Sequence, residues 1–359
     1  MTYQRPNIEK MQGYSPGEQL NDPAVIKLNT NENPYPASAS VQAALGSLDT
    51  ASLRRYPPPL ADDFRNAAAQ LHGISPDNVI ATNGGDELLR LILTTYVDST
   101  ETVVVTRPSY SLYPVLVEVQ DCKLQEIPLQ DDWSMPIDFA QQLQQANAKL
   151  CILVNPHAPS GKLLSQDYLT ELAAAFSGIL LIDEAYVDFI EPEQHYQSVP
   201  LIEKHDNVLI LRTLSKGYSL AGLRFGYGLG ATSLIAPMLY KTRDSYNTDL
   251  IAQKLALAAI TDQDYAQSTW DRVRQSRSSL TEQLSSLGFT VLPSHANFVL
   301  AQVPGQVDAK ALQLALKERK ILIRYFDQDR LRDKLRISIG SDAENNQLVQ
   351  ALRELLAGN

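Results

Sequence analysis

Between residues 78 and 230 the chain repeats one pattern, a short apolar run followed by a segment of helical periodicity. "NVIAT" (78–82), "TVVV" (102–105), "KLCILVN" (149–155), "GILLIDEAYV" (178–187), "NVLILRTLS" (207–215) and "LRFGYGLG" (223–230) read as strands. Their near-continuous apolar character is that of strands covered on both faces, and their alternation with helices calls for a mostly parallel sheet. After the first strand, "NGGDELLRLILTTYV" places apolar residues at 88, 89, 92, 93 and 96, which trace one helical face. Further helices are expected within 61–72, 138–147 and 165–176.

A chain of 359 residues exceeds one modest core, since domains usually hold roughly 100–200 residues. Near residue 245 the texture changes to a long helical stretch (249–287). It leads to strands in "FTVLPSHANFVLAQV", "ILIRYF" and "KLRISIG", with a helix at 308–319 between them. This predicts a second, smaller α/β domain. The Pro-punctuated N-terminus has too little core of its own and is expected to pack with that domain. The expected division is an arm at 1–34, a large ligand-binding domain at 35–247 and a small domain at 248–359.

A net charge of −10 argues against coating phosphate backbones, so no nucleic-acid partner is expected and any anionic ligand must be held by local cations. The first nineteen residues contain no apolar core of signal-peptide length, and no run approaches the ~18 apolar residues of a membrane span. A cytoplasmic protein without membrane association is therefore expected. Cys122 and Cys151 build no disulfide framework. The five histidines, at 72, 157, 195, 205 and 295, include no i,i+4 pair, so no metal site is expected.

In open parallel sheets ligands collect beyond the carboxyl ends of the strands. There the chain offers Asn155, then Asp183 and Tyr186, then Thr213, Ser215 and Lys216, with Asn83-Gly84-Gly85-Asp86 opening a helix. The two glycines and the free N–H groups of that helix start suit a phosphate, and equally a plain capped helix entry. Asp183, in an apolar strand, needs a cationic or N–H partner, for which a protonated ring nitrogen would serve. Lys216, flanked by hydroxyls and near Arg224, has the setting of an amine that forms a Schiff base. Arg224 adds a planar fork suited to phosphate. "GYGLGA" (226–231) formally satisfies a dinucleotide fingerprint, but it sits at the end of the strand series rather than at its first turn.

Together, Asn155-Pro156, Asp183-x-x-Tyr186, Thr213-x-Ser215-Lys216 and Arg224 resemble the fold-type-I pyridoxal-phosphate aminotransferases, over nearly the whole chain. "TLSKGYSLAGLRFGYG" is the most specific part, supported by "NPHAPSG", "IDEAYVDF" and "TNGGDELL". Within that superfamily "KLNTNENPY", "RRYP", "RPSYSLYP" and "LRISIG" are most similar to the histidinol-phosphate aminotransferase branch.

The resemblance implies a large α/β domain binding pyridoxal 5'-phosphate and a smaller α/β domain. It also implies amino transfer between L-histidinol phosphate and 2-oxoglutarate in histidine biosynthesis. Lys216 would carry the cofactor covalently and then serve as acid and base for the proton shift. Asp183 would keep the pyridine nitrogen protonated, Asn155 and Tyr186 would bond the ring hydroxyl, and Tyr110 would stack on the ring. The phosphate would sit on the N–H groups of Gly85 and Asp86, with Thr213, Ser215 and Arg224. Tyr56 resembles a tyrosine that reaches the neighbouring subunit's phosphate, which implies a homodimer. Arg336 matches a substrate-anion arginine, with Arg324 and Tyr14 as helpers and Asn31 as a further substrate candidate. In "NPHAPSG", His157, Ala158 and Ser160 replace Asn-Asn and Thr of many relatives, at positions expected only to shape a turn.

The rivals are an aromatic amino-acid aminotransferase, a phosphothreonine-type decarboxylase on the same lysine, a silent binding protein that keeps the fold, and a nicotinamide dehydrogenase using "GYGLGA".

Overall fold

A computed structural model describes residues 2–20, 22–305 and 307–357. Seven strands form the first sheet: β2 (Val79–Thr82), β3 (Thr102–Arg107), β4 (Lys123–Pro128), β5 (Ala148–Val154), β6 (Ile179–Asp183), β7 (Val208–Thr213) and β8 (Gly226–Gly230). Their order is β2-β8-β7-β6-β5-β3-β4. Only β8 runs antiparallel, against both β2 and β7. The second sheet joins β1 (Ile26–Leu28), β9 (Thr290–Val291), β10 (Phe298–Gln302), β11 (Ile321–Tyr325) and β12 (Lys334–Ser338) in the order β1-β11-β12-β10-β9.

Side chains of the first sheet alternate between two cores, as the period of a strand requires. Cys151, Leu153, Leu180, Ile182 and Ile210 face one core, while Ile152, Val154, Leu181, Leu209 and Leu211 face the other. This parity later decides which residues reach the site. A third core lies between the second sheet and the helices Gln263–Ser286 and Asp342–Ala357.

The sequence expectation stops short in four places. β4 is an edge strand, half-exposed and carrying Lys123, Gln125 and Glu126, so it lacks the continuous apolar signal. β1 is three residues long and gains its strand character from pairing parallel to β11. The apolar run at 178–187 leaves the sheet at Asp183. There the Asp183 carboxylate accepts the N–H of Ala185 at 3.1 Å, an Asx turn that bends the chain into the short helix Val187–Phe189. The helix Leu250–Thr261 buries Ala252, Leu255, Ala256 and Ala259 in a core of the first sheet, which therefore continues past residue 247. No helix among the described residues is long and apolar enough to cross a membrane.

Candidate active site

One cavity lies beyond the carboxyl ends of β5, β6 and β7, roofed by the second sheet and the N-terminal segment. Of the residues singled out in the sequence, it brings together Tyr14, Asn31, Gly85, Asp86, Tyr110, Asp183, Tyr186, Thr213, Ser215, Lys216, Arg224, Arg324 and Arg336. Parity explains the floor: Val154, Asp183, Leu211 and Thr213 all point to the face of the sheet on which the cavity opens.

The same parity corrects the expectation for Asn155. Following Val154, its side chain turns to the opposite face, where its amide donates to the Leu164 carbonyl at 3.2 Å and to the Tyr196 hydroxyl at 3.0 Å. Its Oδ1 accepts the Leu164 N–H at 2.8 Å. Tyr196 in turn donates to Glu184, which Arg212 also pairs at 2.6 Å. Asn155 is thus an anchor of a network beneath the site, with its amide bonded to protein groups. The residues that line the cavity from this turn are Ala158 and Pro159, an apolar pair where the sequence reading expected only a turn.

Lys216 Nζ donates to the Thr30 carbonyl at 2.9 Å. Burial lowers its pKa to about 8; among the charges around it, Arg336 lowers it most, Glu32 opposes and Arg224 adds less. The sequence reading credited Arg224, but desolvation dominates, and the larger electrostatic help comes from Arg336 of the second sheet.

Asp183 is 5% exposed, and no cation pairs with it among the described residues. Tyr113 donates its phenol to Oδ2 at 2.7 Å. Burial nevertheless raises the Asp183 pKa to about 6, against the pull of the Tyr113 and Ala185 hydrogen bonds. A protonated ring nitrogen is the partner this carboxylate lacks.

At the start of the helix Gly84–Tyr96, Gly84 adopts φ +78°, and a Cβ there would stand 2.8 Å from the Arg224 guanidinium. Asn83 supplies no side-chain cap, which leaves the first N–H groups free for an anion. Arg224 reaches Ser215 Oγ at 3.4 Å and Asp86 at 3.3 Å, and Thr213 donates to Ser215 at 2.9 Å. Glycine, hydroxyls and guanidinium thus converge as a phosphate cradle.

Arg336 spans the roof. It lies on β12 directly opposite Arg324 of β11, between the rings of Phe298 and Phe326, and donates to the Asn29 carbonyl at 2.8 Å. Its buried Nε has no partner among the described residues, and neither have Ser109 Oγ and Asn29 Oδ1, whose residues line the same cavity. Such groups await a polar ligand. Tyr110 meets Tyr14 and Tyr113 edge-on at 5.9 and 5.4 Å, and burial pushes its pKa far up, so its ring is a neutral wall.

Asn31 lines the cavity, but its amide is bonded to Tyr186 and Ser338, so it is a link between protein groups rather than a free donor to a substrate. Tyr56 lies apart from the cavity of its own chain, 78% exposed and stacked on Tyr246 at 4.4 Å. Sequence reasoning missed Tyr113, whose signal was its place three residues after Tyr110 at a helix start. It also missed Asn29 and Thr30, which act through backbone carbonyls and carry no side-chain signal.

The chemistry of these groups fits pyridoxal phosphate: an amine for its aldehyde, an unpaired carboxylate for its ring nitrogen and a cradle for its phosphate. Comparison with known proteins agrees. The model of the family "aminotransferase class I and II" matches residues 23–352. Histidinol-phosphate aminotransferase 1 of Trichormus variabilis is 46% identical over 355 residues, covering 99% of each chain. The histidinol-phosphate aminotransferase of Microcystis aeruginosa is 43% identical over 354 residues, covering 98% of each. Among solved structures, histidinol-phosphate aminotransferase of Sinorhizobium meliloti in complex with pyridoxal-5'-phosphate superposes with a TM-score of 0.90 at 27% identity. That alignment covers 100% of this chain and 98% of the other.

Proposed function

The chain belongs to the class I and II aminotransferase family, and from that premise we propose that it moves an amino group between L-histidinol phosphate and 2-oxoglutarate. The products are imidazole-acetol phosphate and L-glutamate, a step of histidine biosynthesis. The observation that carries the substrate choice is the pair Arg324 and Arg336, which face the cavity with no carboxylate partner among the described residues. One anion pocket must accept a phosphate in one half-reaction and a carboxylate in the other, and a planar fork serves both. The names of the relatives support the same choice.

Pyridoxal 5'-phosphate, when bound, supplies a carbonyl that condenses with amines and a ring that accepts the electron pair left at the substrate Cα. Lys216 would hold that carbonyl through its neutral amine, which its lowered pKa makes accessible near neutrality. Once freed from that carbonyl, Lys216 Nζ would carry the proton from the substrate Cα, across the intervening nitrogen, to the carbon that bore the aldehyde. Asp183 would hold a proton on the ring nitrogen, and Tyr186 would donate to the ring oxygen. Tyr110 covers one face of the ring and limits water there. Gly85 and Asp86 through their N–H groups, with Thr213, Ser215 and Arg224, hold the phosphate. Arg336, helped by Arg324 and Tyr14, orients the substrate anion.

In this reading residues 35–247 form the cofactor domain with the helix Leu250–Thr261 packed on it. Residues 1–34 and the rest of 248–359 form the smaller one. The enzyme is a cytoplasmic homodimer in which the exposed Tyr56 reaches the phosphate of the neighbouring subunit. The test is kcat/KM for histidinol phosphate against phenylalanine: histidinol phosphate is preferred by at least tenfold, about 1.4 kcal/mol of transition-state binding. A preference for phenylalanine would replace this reading with an aromatic aminotransferase.

A further inference from the structure

Three consecutive residues of the N-terminal segment each hold one functional group. The Asn29 carbonyl accepts from Arg336 at 2.8 Å, the Thr30 carbonyl accepts from Lys216 at 2.9 Å, and Asn31 Nδ2 donates to the Tyr186 hydroxyl at 3.1 Å. The first two contacts hold the Arg336 guanidinium and the Lys216 amine. The third fixes a proton.

Ser338 Oγ accepts the backbone N–H of Asn31 at 2.8 Å and donates to Asn31 Oδ1 at 2.9 Å. The serine hydrogen finds its acceptor only if Oδ1 faces Ser338, so Nδ2 faces Tyr186. Asn297 closes the arrangement by donating to the Asn31 carbonyl at 2.9 Å. Asn31 is 2% exposed and holds φ +56°, a conformation in which asparagine is among the few favoured residues. The Tyr186 hydroxyl makes no other hydrogen bond among the described residues. As an acceptor toward Asn31, it must direct its own hydrogen elsewhere, and the open direction is the cavity.

We propose that Asn31 is a positioning residue that aims the phenolic hydrogen of Tyr186 at the ring oxygen of the bound cofactor. Through Ser338 it ties that hydrogen bond to β12, the strand that carries Arg336. The inference rests on the cofactor reading above and adds to it a residue whose amide acts through Tyr186.

The bound cofactor changes its visible spectrum as the nitrogen it shares with Lys216 loses a proton. With that proton present, the ring oxygen is partly compensated by the neighbouring positive charge; without it, the oxygen depends on Tyr186. Losing an aimed donor therefore raises the midpoint of the spectral titration. Arg336 from β12, Asp183 from β6 and Tyr14 from the N-terminal segment also face Tyr186. Glu32, Lys27, Arg224 and Arg336 face Lys216. All of these stay in place in the variants, so their influence cancels in the comparison.

The experiment titrates the visible band of the holoenzyme in Asn31→Gly, which deletes the amide without straining the positive φ, and in Ser338→Ala, which frees the amide to rotate. Each is made in the native and in the Tyr186→Phe background. The expected result is a rise of about one pH unit in Asn31→Gly, in line with one hydrogen bond to a charged group. Ser338→Ala gives a smaller rise, and neither variant shifts the midpoint in the Tyr186→Phe background. An unchanged midpoint in the native background, or equal shifts in both backgrounds, overturns the inference. A chain that takes up no cofactor overturns the parent reading and this inference with it, whereas a loaded chain whose midpoint ignores Asn31 overturns this inference alone.

Discussion

The Lys216 amine is held by the main-chain carbonyl of Thr30, at 2.9 Å and 186 residues away in sequence. The amine that follows β7 is thus restrained by the segment that runs into the second sheet through β1. The contact is made to backbone, and its partner lies in a buried setting that disfavours the charged amine.

That setting predicts how the cofactor loads. Since only the neutral amine attacks an aldehyde, the rate at which apoprotein acquires the visible band on adding pyridoxal phosphate should rise with pH and level off above about 8. The folded pKa lies below the unfolded 10.5, so between about 8 and 10.5 the unfolded chain binds more protons and this group's contribution to apoprotein stability grows with pH. A loading midpoint near 10 would remove burial as the cause.

Asp183 carries the opposite sign. Its folded pKa of about 6 exceeds the 3.8 of a free aspartate, so the apoprotein loses stability as pH rises from about 4 to 6. The loss is of order 3 kcal/mol, from roughly two pKa units at 1.36 kcal/mol each. Asp183→Asn should therefore melt higher than native apoprotein at pH 7.5 while binding pyridoxal phosphate more weakly. Calorimetry of both apoproteins measures the first effect, and a lower melting temperature for the variant would contradict it.

Tyr113 tests the support behind that carboxylate. Tyr113→Phe removes one hydrogen bond to Asp183 without changing the packing of the ring. Without that bond the Asp183 pKa should rise further, so near neutral pH part of the carboxylate must lose its proton before pairing with the ring nitrogen, and the cofactor Kd should increase. Equilibrium dialysis against pyridoxal phosphate reads this directly, and an unchanged Kd would make Tyr113 a packing residue only.

How much of this was legible in the sequence depends on what carried the information. The buried strands β5, β6 and β7 announce themselves because both faces are apolar, and the chemistry at their ends follows from sheet topology. Lys216, Asp183, Tyr186 and Arg224 were therefore readable together. The side chain of Asn155 lies with Leu164 and Tyr196 rather than in the cavity lining, which the sequence could not show because one residue of register decides the face of the sheet. Strands β1 and β4 were hidden because their pairing is tertiary. The roles of Asn29 and Thr30 lie in main-chain carbonyls, on which side-chain identity is silent.

The phosphate cradle makes a separate prediction. Gly84→Ala places a methyl 2.8 Å from the Arg224 guanidinium at φ +78°, where a Cβ costs roughly 1–2 kcal/mol. The native apoprotein should bind pyridoxal phosphate far better than pyridoxal, and the variant should lose most of that discrimination while binding pyridoxal as before. Equal losses for both ligands would place the damage in the fold rather than the cradle.

The account stands or falls on the bond between Lys216 and the cofactor. Holoprotein reduced with borohydride, digested and analysed by mass spectrometry should carry a phosphopyridoxyl group on the peptide containing Lys216. The Lys216→Ala protein should keep its fold and carry no such group. A modification on another lysine, or a fully active Lys216→Ala enzyme, would contradict it.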